Sequence, residues 1–77
     1  MVAMTKSEFE FAAGQIDAFK ERLSKEHFTI LKAAAASWST RTIATNLSIP
    51  LGTVKSRLYR ARRALRELIK RQREQER

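Results

Sequence analysis

Between Thr53 and Arg66 the chain sets hydrogen-bonding side chains at helical intervals: Lys55, Ser56, Tyr59, Arg60 and Arg63, with Arg66 following. Arginine and lysine donate to guanine O6 and N7, serine donates or accepts, and an aromatic ring can lie against a thymine methyl. Such a set does recognition chemistry and breaks no bonds. On a helix, Val54, Leu58, Ala61, Leu65, Leu68 and Ile69 fall into one apolar stripe. Ser56, Tyr59, Arg60 and Arg63 lie opposite it, Lys55 and Arg66 beside them, and Arg57 and Arg62 flank the stripe. One side is built to sit on a core while the other presents cations outward. A helix of that kind fits the major groove of DNA. A solvated basic helix, or one lying on a membrane surface, has the same pattern, so the upstream residues decide.

Those residues predict a scaffold. A short helix over 40–47, capped by Ser39, is followed by a tight Ser48-Ile49 connection, and Pro50 opens a longer helix where its missing N–H costs nothing. Ala44 is small enough for a second helix to cross closely. A short helix, a tight turn and a longer helix make a helix-turn-helix, whose second helix meets DNA. Further upstream, Thr5-Lys6-Ser7-Glu8 reads as a capping box, with Ser7 to Glu10 as a second register. Phe9, Ala12, Ile16, Phe19 and Leu23 recur at helical spacing, which predicts a helix near 7–22. Phe11 points away from that stripe, and is either half-covered by a loop or, beside Ala18, a contact for another chain. Ser24 caps a helix near 25–36 that buries Phe28, Ile30, Leu31 and Ala34, and His27 is a surface residue without chemistry. Ser37-Trp38-Ser39 breaks the pattern, with Trp38 expected as a lid over the core edge. The fold expectation is all-α, a four-helix helix-turn-helix domain with helices near 7–22, 25–36, 40–47 and 50–72.

Composition excludes much else. With 77 residues and no cysteine, the chain is one small domain held by helix packing, without disulfides or thiolate metal ligands. One histidine leaves no zinc constellation, and neither a metal nor a cofactor is expected. No membrane span is present, the longest uniformly apolar run being Ala33 to Ala36, and Met1 to Lys6 carries no signal-peptide core. A cytoplasmic protein is expected. The formal net charge is +8, of which +7 lies from Gly52 onward, where ten Lys/Arg face three Glu. That one-sided distribution is the footprint of a polyanion binder.

The segment Ile49-Pro50-Leu51-Gly52-Thr53-Val54-Lys55-Ser56-Arg57-Leu58, with Arg60-Ala61-Arg62 and Leu65-Arg66, resembles region 4 of bacterial RNA polymerase sigma factors, the extracytoplasmic-function class above all. Leu23-Ser24-Lys25-Glu26 and Ser39-Thr40-Arg41-Thr42-Ile43-Ala44 stand where that family has Leu-Pro-x-Glu and Ser-x-x-Glu-Ile-Ala. LuxR-type regulators share the Thr-Val-Lys core but usually have His at the place of Arg57 and lack the Arg-Ala-Arg. The resemblance covers roughly residues 23–68. It implies docking on an upstream (-35) promoter element, reading by Lys55, Ser56, Tyr59 and Arg60 at base edges, and phosphate contacts by Thr53 and Arg57. Arg41 and Arg63 are expected to join the phosphate set. It also implies RNA polymerase, through the flap of its β subunit, or an anti-sigma protein as partner. Gly52 is expected to let the backbone approach DNA closely, or to be a tolerated glycine near a helix end. Two departures stand out. Thr42 replaces the family's Glu, which leaves recognition-helix arginines freer for phosphate, and Ser48 replaces the turn Gly at some conformational cost.

A full sigma factor also needs region 2, for which 77 residues leave no room. The chain is therefore expected to be an excised domain or a stand-alone regulator, with the 7–22 helix available for a homodimer. The domain divides into that helix, a region 4-like unit over 23–68 and a solvated basic tail over 69–77. An enzyme is not expected, because no nucleophile–base pair, facing carboxylates or phosphate-cradling glycine loop occurs. A membrane-surface module is disfavoured because the apolar stripe is needed to close the core. A protein-interaction module that never uses DNA is the rival function.

Overall fold

A computed structural model describes Phe9 and residues 12–75. Among these the chain is all-α. A 3-10 helix spans Ala13–Phe19 and three α-helices follow, α1 over Lys25–Ala35, α2 over Thr40–Leu47 and α3 over Leu51–Gln75.

The N-terminal segment keeps to the α-helix expected near 7–22 at Phe9 and Ala12, which are α-helical, and departs from it after them. Residues 13–19 are 3-10, a turn follows, and the capping boxes at Thr5–Glu8 and Ser7–Glu10, together with Phe11, lie outside the described residues. Ala13, Ile16 and Phe19 explain the tighter winding. They are three apart, the period at which a 3-10 helix stacks side chains on one face. Gly14 also lowers α-helical preference by about 1 kcal/mol relative to Ala. The chain leaves this segment through bonds from the Arg22 and Leu23 amides to the Phe19 carbonyl, 2.9 and 3.0 Å. Phe9, Ala12, Ile16, Phe19 and Leu23 are all buried, so the predicted stripe faces the core even though its helix type changes.

Serine starts both short helices. Ser24 Oγ accepts from the His27 amide and Ser39 Oγ from the Thr42 amide, each at 3.1 Å, satisfying donors that a helix leaves orphaned. Helix α1 ends at Ala35, one residue short of expectation, and α3 runs from Leu51 to Gln75 where the sequence predicts 50–72. Pro50 sits at the N-cap, outside the helix, and its carbonyl accepts from the Thr53 and Val54 amides at 3.0 and 3.1 Å.

The core draws on every element. Ile30 and Leu31 from α1, Ile43 from α2, and Val54, Leu58, Ala61 and Leu65 from α3 close on the N-terminal stripe, and no described polar side chain is buried among them. Leu68 and Ile69 are half-buried against the same core, and residues 70–75 are exposed. Helix α3 packs against each of the other three elements. No helix of the described residues is long and apolar enough to cross a membrane.

Candidate nucleic-acid interface

The helix-turn-helix is fixed by one residue in an unusual conformation. Ser48 ends α2 with φ 56° and ψ 45°, in the left-handed region. Its amide donates to the Thr45 carbonyl at 3.3 Å and the Ile49 amide to the Ala44 carbonyl at 3.1 Å. This pair of bonds is a Schellman cap, with Ile49 and Ala44 both half-buried at the core edge as that motif's apolar contact. The turn then hands the chain to Pro50 and aims α3 across α2 beside Ala44.

The burial of α3 decides which of its faces is available. Val54, Ala61 and Leu65 have no exposed surface and Leu58 has 6%. At about 100° per residue, Ser56, Tyr59, Arg60 and Arg63 then fall within about 50° of the opposite pole. Lys55, Ser56, Arg60 and Arg63 are exposed, and Tyr59 retains 44% of its surface. Ser56, Tyr59 and Arg60, with Arg63, thus share the outward side, and Lys55 is exposed at its edge, about 90° from the pole. Arg41, in the first turn of α2, is exposed as well.

The remaining two candidates sit elsewhere on α3. Thr53 is half-buried toward one flank. Arg57 is half-buried closer to the core, over a groove of about 210 Å³ shared with Lys25, Glu26, Thr29, Ile30, Leu47 and Ile49.

Thr42 has a definite task. Its hydroxyl lies 2.9 Å from Ser39 Oγ, while its amide donates to the same oxygen. It therefore stands in the third helical position of a capping box, where the family's Glu would reach back to the cap. Thr45 and Asn46, both exposed, bond back along α2, donating to the Arg41 and Thr42 carbonyls at 3.1 and 2.9 Å.

One feature escapes the sequence reading. Arg62 lays its guanidinium over the Phe9 ring, 4.9 Å from the centroid, and its Nε is buried with no hydrogen-bond partner. Burial lowers its pKa from the ordinary arginine value. The available signal is its place flanking the apolar stripe. Trp38 keeps 45% of its surface and forms one wall of a groove of about 420 Å³ with Phe9, Ala13, Ala34, Ala35, Ser37 and Arg62. It borders the core edge but leaves the groove open, so the expected lid is incomplete. Among the described residues no cluster of His, Cys, Asp or Glu could hold a metal ion.

Comparison with known proteins adds the family. The family model described as sigma-70, region 4 matches residues 13–65. Over 46 residues the chain is 52% identical to the ECF RNA polymerase sigma factor SigL of Mycobacterium tuberculosis, in strains Erdman, CDC 1551 and H37Rv. That alignment covers 58% of this chain and 26% of each relative, so the chain matches only about a quarter of their length. No solved structure matches the chain.

Proposed function

The chain belongs to the sigma-70 region 4 family, whose members are promoter-recognition DNA-binding domains of transcription and not enzymes, and from that premise we propose that α3 reads an upstream, -35-like promoter element in the major groove. One observation carries the reading. A single rod is sealed against the core along Val54, Leu58, Ala61 and Leu65, and it carries Lys55, Ser56, Tyr59 and Arg60 on the face left open. Those four side chains meet base edges. Arg63 and Arg41 meet phosphates directly, and Thr53 and Arg57 do so along the flank. RNA polymerase, through its β flap, or an anti-sigma protein is the protein partner, and a homodimer through the N-terminal segment is the self-association this reading allows.

The test is fluorescence anisotropy with a duplex selected from a random library and its scrambled counterpart, with and without polymerase. Arg60→Ala is expected to cost about 1–3 kcal/mol on the selected site and to relax preference at one base pair. Arg57→Ala weakens both duplexes alike and flattens the salt dependence by about one unit of slope. An unchanged ratio between selected and scrambled duplexes in Arg60→Ala would remove Arg60 from the reading set. A parent chain that binds polymerase but no duplex would favour the protein-only function instead.

A further inference from the structure

Helix α3 continues for ten residues past Leu65, its last buried side chain, which is about 15 Å at 1.5 Å per residue. The four base-reading positions near its start do not need that length, and Leu68 and Ile69 end the contact with the core. Cations outnumber acids on the extension, Arg66, Lys70, Arg71 and Arg73 against Glu67 and Glu74. Projected at about 100° per residue, Arg63, Lys70 and Arg73 continue the side on which Tyr59 and Lys55 lie, while Arg71, Glu67 and Glu74 fall toward Arg60. Arg63, Lys70 and Arg73 are exposed, and among the described residues none of them forms an ion pair.

From this arrangement we propose that Lys70 and Arg73, continuing from Arg63, form a second phosphate-gripping stretch that holds duplex DNA outside the base pairs read by the first turns of α3. The proposal rests on the DNA reading above and extends it to a part of the helix that reading leaves idle. The occupant follows from charge and continuity. Phosphates are the dense anion next to a helix whose first turns occupy a groove only about 12 Å wide. Lys55 to Arg73 spans about 27 Å along the axis. The later turns must leave the base edges, and in other long recognition helices the C-terminal end meets the backbone. Contacts of this type carry no sequence information; they add affinity that falls with salt.

The experiment uses the whole chain and a short mixed-sequence duplex, with anisotropy measured between about 50 and 200 mM salt. Lys70→Ala with Arg73→Ala is expected to make the slope of log K against log salt shallower by about 1.8, or about 0.9 for each phosphate no longer neutralised. The ratio between selected and scrambled duplexes stays unchanged. Alanine is a strong helix former and both positions are exposed, so the fold is retained, which circular dichroism checks. Lys20→Ala with Arg22→Ala removes the same charge from the turn before α1 and is expected to leave the slope as it was. The proposal is overturned if the α3 pair leaves the slope unchanged, or if both pairs flatten it equally, because net charge and not contact is then responsible. It is equally overturned if the α3 pair matters only for capture by anionic vesicles or polyglutamate. Failure of the base-reading proposal looks different: discrimination is absent in the parent chain, whatever the slope does.

Discussion

Gly52 lies in the first turn of α3, and a Cβ built on it meets no atom within 4 Å. Nothing inside the molecule therefore asks for glycine there, and its backbone is not in the left-handed region. In a helix interior, glycine costs about 1 kcal/mol relative to alanine. Gly52→Ala is expected to stabilise the fold by up to about 1 kcal/mol in urea melts while weakening duplex binding, because the added methyl holds the backbone off the DNA. Gain in both properties would mean that the glycine is merely tolerated. Arg62 poses the reverse problem. Stacking on Phe9 contributes about 0.5–2 kcal/mol, whereas a buried donor left without an acceptor costs about 1–3 kcal/mol. The second effect is the larger, so Arg62→Met should raise stability by about 1 kcal/mol, again read from urea melts. Its lowered pKa adds no pH dependence in any ordinary buffer. A cation disfavoured by folding regains stability only as pH rises through the folded-state pKa, and arginine stays protonated far above neutrality.

At the scale of elements, α1 and α2 end in the same way. Ser37 has φ 66°, its amide donates to the Ala34 carbonyl at 3.0 Å, and the Trp38 amide donates to the Ala33 carbonyl at 3.2 Å. This repeats the Ser48 and Ile49 cap, again with serine where glycine is the unstrained residue. Each serine follows a helix and precedes a bulky apolar residue and an N-cap, so the two turns aim successive helices with one device. Ser37→Gly and Ser48→Gly are each expected to add about 0.5–1 kcal/mol, with effects that sum because the two sites share no hydrogen-bond partner; urea melts of the single and double variants check both points. The Ser48 turn is legible as a turn because a familiar pattern places glycine there; the Ser37 turn is not, since Ser-Trp-Ser announces only a break. The core stripes and the outward set of α3 are legible too, because apolar spacing alone fixes which side of a helix is covered. The 3-10 winding is hidden, since Phe9, Ala12, Ile16, Phe19 and Leu23 suit an α-helix as well. The stacking of Arg62 is hidden because its ring partner, Phe9, is remote in sequence, and only the folded chain brings them together.

Taken whole, the molecule divides its surface by charge. An exposed ion pair, Lys32 Nζ to Asp17 Oδ2 at 3.2 Å, ties α1 to the N-terminal segment and contributes little, as solvent-exposed pairs do. The formal charge of +8 is otherwise concentrated from Gly52 onward. With Arg41, Arg57, Arg63, Lys70 and Arg73 on phosphates, log K for a duplex is expected to fall with log salt at a slope of about −4.5. A slope of about −1 would show that most of these cations never reach the backbone.

Helix α3 runs unbroken from Leu51 to Gln75, so the surface offered to a ligand and the wall of the hydrophobic interior are the same piece of backbone. Unfolding must then release any bound duplex. Saturation at about a hundred times Kd adds about 2.7 kcal/mol to the unfolding free energy, and the melting temperature climbs accordingly. The coupling also works in reverse: loosening at Leu31 or Ile43, far from any nucleotide, lowers apparent affinity through the fraction of molecules still folded, with the intrinsic preference for one sequence over another left intact.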